Sequence, residues 1–257
     1  VRYRIKVVRT NLSNSFPEKS KEELSKIENE FYHHLCDTFM ESIKMFSIKE
    51  NEIRERFVGE NMHVLDDLLP LGKDVVLAGG HLNNWEWLAL YGNQVTKFRM
   101  GGVYKALSNK FFEKKMREAR GKFGVLLIPT YEAFNFFEQK RNEPVAMIFA
   151  TDQSPRKPEK SYWTTFLNQE TGVQPGAEIM SRKYEMPVVY GALIKIKRGY
   201  YKIKMIPVCQ HPDELPEKGA IMEKLTRLLE IEILKAPGQW LWSHRRWKHK
   251  KPSHVQF

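Results

Sequence analysis

Short runs of continuous apolar residues alternate with helical patterns along this chain, and that alternation is its strongest constraint. "DVVLAG", "VLLIP" and "PVAMIFA" are apolar throughout rather than at every second position. Strands of that kind are buried on both faces, as in a parallel sheet covered by helices on each side. Between and around them stand "NNWEWLALYG", the basic "NKFFEKKMREARGKFG" and "TYEAFNFFEQKR", each read as a helix. "KFRMGGVY" reads as a further strand, and "PGAEIMSRKYE" as a helix with Pro175 at its first position. "MPVVYGALIKI" and "YYKIKMIPV" are joined by the tight "KRGY", so they pair antiparallel and make the sheet mixed. A last helix covers roughly 213–234. The expectation is an α/β fold, a mixed and mostly parallel sheet flanked by helices.

Upstream, "SKEELSKIENEFYHHLCDTFMESIKMF" predicts a long amphipathic helix. Leu24, Ile27, Phe31, Leu35, Phe39, Ile43 and Phe46 recur at three- and four-residue spacing. Ser20 and Glu23 are placed for a capping box at its start. No linker, repeat or low-complexity segment divides the 257 residues, so one domain over 1–257 is expected. The two cysteines, Cys36 and Cys209, lie far apart. They exclude a cysteine-clustered zinc site and speak against a disulfide framework. His33 and His34 have no carboxylate or cysteine at a useful spacing, which assigns them to the helix's polar face or edge rather than to a metal.

The net charge of +11 makes the surface anion-seeking. Nucleic acid, anionic lipid or an acidic protein would suit it, and so would a merely solvated lysine-rich surface. No apolar run approaches the ~20 residues of a membrane span. The chain begins at Val1 and runs directly into basic "RYRIKVVR". A hydrophobic anchor removed from upstream would fit that pattern, and so would a trimmed disordered tail.

The stretch "GGHLNNWEW" carries the chemistry. His81 falls at a strand's carboxyl end just before a helix, the edge where open α/β sheets bind ligands. Gly79 and Gly80 permit a tight turn and close approach of a ligand, and Asn83 or Asn84 can cap the helix. The helix amino terminus favours a neutral imidazole, and its N–H groups suit a developing oxyanion. Glu86, in the first or second turn, is expected to reach one imidazole nitrogen, fix the tautomer and stabilise the cation formed on proton transfer. The plain alternative is a loop-filling histidine and a glutamate that favours a helix start. Asp152, at the end of "PVAMIFA", is a second candidate on the same edge, followed by a basic loop containing Arg156. In "SHRRWKHKK", Arg245 and Arg246 are candidate anion clamps. Adjacent arginines point in different directions, so one at most enters a site. The alternating tryptophans and cations there also suit a membrane interface.

"GGHLNNWEW" resembles the H-x4-D/E motif of the lysophospholipid acyltransferase-like superfamily. More narrowly, the chain resembles the late acyltransferases of lipid A biosynthesis, the lauroyl/myristoyl transferase family. "VYKALSN" is similar to that family's tyrosine–arginine–proline segment, with Lys105 where the arginine stands. "FATDQSPRKPEKSYWTTFLNQETGVQPGAEIMSRK" resembles its aspartate block, and "APGQWLWSHRRWK" its carboxyl-terminal signature. The resemblance implies transfer of a fatty acyl group from an acyl thioester, acyl carrier protein being the expected donor, to a hydroxyl of a membrane lipid such as a lipid A precursor. It implies His81 and Glu86 as a catalytic dyad. Lys105, Asp152, Arg156, Arg245 and Arg246 are the expected substrate-binding residues. No metal or redox cofactor is required. An anionic membrane surface is an expected partner, nucleic acid is not, and the expected location is the cytoplasmic face of a bacterial inner membrane. Two other readings stand beside it: an N- or O-acyltransferase for an amino-acid-based lipid, and a nucleic-acid-binding module using the basic helix near Phe111 and Phe112.

Overall fold

The computed structural model describes residues 3–139 and 141–253; the anchor expected before Val1 lies outside them. Two helices, α1 (Ile5–Ser15) and α2 (Lys21–Lys44), open the chain, followed by α3 (Glu50–Arg56), β1 (Phe57–Glu60) and the short α4 (His63–Asp66). The rest alternates: β2 (Val75–Gly79), α5 (Trp85–Gly92), β3 (Arg99–Tyr104), α6 (Lys110–Arg120), β4 (Leu126–Pro129), α7 (Ala133–Glu138) and β5 (Val145–Ala150). A hairpin, β6 (Tyr162–Phe166) and β7 (Gln169–Val173), precedes α8 (Gly176–Tyr184), β8 (Val188–Lys197), β9 (Tyr200–Cys209) and α9 (Ala220–Lys235).

Seven strands form one sheet in the order β1-β9-β8-β2-β5-β3-β4. Strands β8, β2, β5, β3 and β4 run parallel. β9 turns back on β8 through Gly199, whose φ is 72°, and β1 runs with β9. The mixed, mostly parallel sheet expected from the sequence is the one observed.

β2 explains why its residues are apolar without alternation. Val76 and Ala78 join one core, with Phe137, Ala177 and Met180 from the helices after β4 and β5. Val75 and Leu77 join the other, with Trp87, Leu90 and Ala119 from the helices after β2 and β3. Successive side chains point to opposite faces, and each face is covered. The helices that follow β2 and β5 therefore diverge to opposite sides of the sheet. Between these two adjacent strands lies a topological switch point, where ligands bind in open α/β sheets.

The capping box of α2 is formed in both directions between Ser20 and Glu23. Ile27 and Phe31 are buried, but Phe39, Ile43 and Phe46 are exposed. The apolar stripe outruns the surface that covers it, which is chiefly α1 and the Pro237–Gln239 turn. Helix α1, read from sequence only as a basic segment, buries Val8 and Leu12. The hairpin β6–β7 is also new; Leu167 and Asn168 make its two-residue turn, both at positive φ. Cys36 and Cys209 are free.

Candidate active site

Gly79 and Ala150 are register partners at the ends of β2 and β5. Two residues beyond each strand end stand His81 and Asp152, which is how positions 71 apart in sequence meet. The loop after β2 is pinned from several directions. A Cβ on Gly80 would lie 2.5 Å from Leu229 Cδ1, so the glycine answers to packing by α9 rather than to an approaching ligand. Asn83 takes a left-handed φ of 52°, and its side-chain amide donates to Leu193 O at 2.5 Å. Asn84 caps α5, its oxygen accepting from Trp87 N at 2.9 Å. Leu82 pairs antiparallel with Trp240, and Asn83 N donates to Gln239 O. The carboxyl-terminal segment thus clamps the loop that carries His81.

Asp152 is 3% exposed and accepts from several donors. Its Oδ1 lies 2.6 Å from His81 Nδ1, and its Oδ2 accepts from His81 N and from Trp240 Nε1, each at 2.8 Å. An ionised carboxylate can only accept, so Nδ1 carries the imidazole proton. Nε2 is then the basic atom, and the Gln153 amide donates to it at 3.2 Å. Trp85 stands edge-on to the ring, centroids 5.0 Å apart. Burial disfavours the imidazolium, but the charge of Asp152 and its hydrogen bond outweigh burial, and the pKa of His81 is raised. Burial opposes ionisation of Asp152 too; its bonds to His81 and Trp240 hold its pKa well below the usual carboxylate range.

Glu86 does not take the place expected for it. Arg120 grips both its oxygens, at 2.5 and 2.8 Å, and Glu86 acts on the imidazole only through its charge. The carboxylate that fixes the tautomer is Asp152. Arg120 holds this position because α6 runs back past the start of α5, a relation that nothing local in the sequence announces. Gln153 had a signal, its place beside Asp152. Trp240 had one too, within the carboxyl-terminal motif.

The remaining candidates separate. Lys105, Arg156 and Arg245 are exposed. Arg246 is 3% exposed and points inward, donating to Gly172 O at 2.7 Å and lying over the Phe166 ring. Burial lowers its pKa to about 10. It locks the hairpin to the carboxyl-terminal segment. His244 Nε2 accepts from Ser154 N at 3.0 Å, which ties that segment to the loop after Asp152. Of the tryptophans in that basic run, Trp242 is buried, and Trp247 is partly buried with its Nε1 donating to Thr171 Oγ1 at 2.7 Å. On the basic helix α6 Phe111 is exposed, while Met116, and Phe123 just beyond the helix, pack on the core. His34 is buried rather than polar-facing, and burial together with Lys195 lowers its pKa to about 4.

An open α/β sheet with a carboxylate-held imidazole at its switch point defines a class: proteins equipped to take a proton from a bound group. The profile of the family described as bacterial lipid A biosynthesis acyltransferase matches residues 2–249. The chain belongs to that family, and is an acyltransferase. It is 24% identical to the lipid A biosynthesis palmitoleoyltransferase of Escherichia coli (strain K12), over 94% of this chain and 78% of that protein. The lipid A biosynthesis acyltransferase of Shigella flexneri matches to the same extent. Among the described residues, no helix is long and apolar enough to cross a membrane, and no cluster of metal-ligating side chains occurs.

Proposed function

We propose that this chain transfers a fatty acyl group from the thioester of acyl carrier protein to a hydroxyl of a lipid A precursor at the cytoplasmic face of a bacterial inner membrane. One observation carries the mechanism: Asp152 anchors His81 through Nδ1, which leaves Nε2 to face the substrate side with the amide of exposed Gln153 upon it. The acceptor hydroxyl displaces that amide and gives its proton to Nε2. Its oxygen bonds to the thioester carbonyl carbon, forming a tetrahedral oxyanion beside the amino terminus of α5. The intermediate collapses, the carbon–sulfur bond breaks, and the thiolate takes the proton back from the imidazolium. Asp152 stabilises that imidazolium, and Glu86, held by Arg120, adds its negative field. Lys105 directly follows the end of β3 and Arg156 lies in the loop after β5; both are exposed, and they serve an anionic headgroup. An acidic donor suits a chain of net charge +11.

The test is incubation with labelled acyl carrier protein thioesters and a lipid A precursor, with the product identified by mass spectrometry. His81→Ala should lower turnover by roughly 10²–10⁴-fold with little change in donor affinity. A folded variant that turns over at the wild-type rate would overturn the mechanism.

A further inference from the structure

Two helices and two loops at the far end of the sheet expose apolar side chains that a soluble fold has no use for. Phe111 and Phe112, in the first turn of α6, are 66% and 58% exposed, and their rings touch edge-on at 5.7 Å. The helix packs inward through Met116 and Ala119; Phe111 lies off that face, and Phe112, which shares it, sits a turn nearer the helix start and stays exposed. Leu107 in the preceding loop, Tyr131 after β4 and Phe134 in α7 are exposed as well. These segments are neighbours. Tyr104 and Pro129 pair at the ends of β3 and β4, and Thr130 N donates to Tyr104 O at 2.9 Å.

Cations outnumber carboxylates beside this patch, although Glu132 is exposed between Tyr131 and Phe134. Lys105, Lys110, Lys114, Lys115 and Arg117 are exposed. Glu113 is turned back to accept from Tyr104 Oη and Leu107 N, and Glu118 is paired with Lys115 at 3.2 Å. Lys110, Lys114 and Arg117, with Glu113 and Glu118, line a cleft of about 570 Å³ along α6. Aromatic side chains ringed by cations are the composition of a surface that enters the headgroup region of an anionic bilayer.

We propose that this α6–α7 face docks on a bilayer containing anionic lipid. It lies at the carboxyl ends of β3 and β4, the same sheet edge that carries His81 and Asp152 beyond β2 and β5. Docking there turns the catalytic edge toward the membrane. That consequence rests on the functional reading, in which the acceptor is a membrane lipid; the docking itself rests on the surface alone. The proposal also moves the membrane-facing surface away from the carboxyl-terminal tryptophans, of which Trp240 and Trp242 are buried and Trp247 partly so.

The experiment is flotation of the purified chain with vesicles of phosphatidylcholine, alone and mixed with phosphatidylglycerol. Phe111→Ser/Phe112→Ser should weaken binding to the mixed vesicles at least about tenfold, since two large apolar side chains no longer enter the interface. Lys110→Gln/Lys114→Gln/Lys115→Gln should weaken it about fivefold per lysine on mixed vesicles, and leave the neutral ones unaffected. Phe39→Ser/Ile43→Ser, at exposed apolar positions on α2, should bind as wild type. Matching thermal melts confirm folding, which exposed positions make safe. Wild-type flotation of the Phe111/Phe112 variant would overturn the proposal. So would unchanged flotation with weakened transfer from acyl carrier protein, which would make the face a carrier dock. Transfer to acceptor dispersed in detergent is read separately: its absence in the wild type counts against the functional reading and leaves the vesicle result standing.

Discussion

Asp152→Asn keeps the shape of the site and removes its charge. In the wild type one carboxylate oxygen accepts from His81 Nδ1 at 2.6 Å, and the other accepts from His81 N and Trp240 Nε1, both at 2.8 Å. Asparagine has one oxygen to offer. If that oxygen faces Nδ1, the amide nitrogen meets two buried N–H donors, at a cost of about 1–3 kcal/mol for each group left unsatisfied. The favoured orientation is therefore the reverse. The oxygen takes the two N–H groups, and the amide donates to Nδ1. The imidazole proton must then move to Nε2, which ceases to be a base. The expected loss in kcat is about 10²–10⁴-fold, or about 2.7–5.4 kcal/mol of barrier. The pH profile carries a second signature. In the wild type the acidic limb should lie above the ordinary histidine value of 6.5, because Asp152 outweighs burial. Without Asp152, burial is opposed only by the charge of Glu86, and the limb should move toward lower pH. Acyl transfer followed by mass spectrometry over a pH series reads both effects. A folded Asp152→Asn enzyme with wild-type kcat, or with the acidic limb unmoved, would refute the reasoning.

Other perturbations have equally definite outcomes. Arg120→Met leaves Glu86 without its bidentate partner in a largely buried setting; a stability loss of about 1–3 kcal/mol in urea unfolding is expected. Glu232, half-buried where it accepts from Tyr190 Oη and Leu193 N, has its pKa pushed up to about 7 by burial. A carboxyl raised in the folded state contributes stability in acid that is lost as pH rises from its ordinary 4.5 through about 7. Glu232→Gln should therefore stabilise the protein at pH 8 by on the order of 1–3 kcal/mol and bring little at pH 4, as read by chemical unfolding at the two values. Ser20→Ala removes the oxygen that caps α2 and should cost about 1 kcal/mol, a fall of about 2–4 °C in Tm. Transfer from acyl carrier protein should weaken as salt rises, because an acidic carrier meets a basic rim; a salt-independent KM for the donor would point to a different donor.

Sequence alone determined the layers of this fold. Continuous apolar runs such as "VVLA" satisfy only a strand buried on both faces, and the cores on either side of β2 divide those residues between them. Local signals fixed the cap at Ser20 and the antiparallel return through Gly199, and narrowed the α5 cap to Asn83 or Asn84, because each depends on residues within one turn. His81 was legible for the same reason, standing between an apolar strand and a capped helix. Tertiary structure alone decided its partner. Five residues along a helix, Glu86 looked close to the imidazole, but α6 returns beside α5 and supplies Arg120, whose planar fork binds both carboxylate oxygens. Asp152 reaches His81 because β5 is inserted next to β2 in register, an arrangement set by the order of strands rather than by spacing. The arginine pair at the carboxyl terminus divides in the same way: charge says that both seek anions, yet the chain's path buries Arg246 against Gly172 O and leaves Arg245 in solvent. Periodicity reports which side chains share a face of one element; only packing between elements says which face meets which charge.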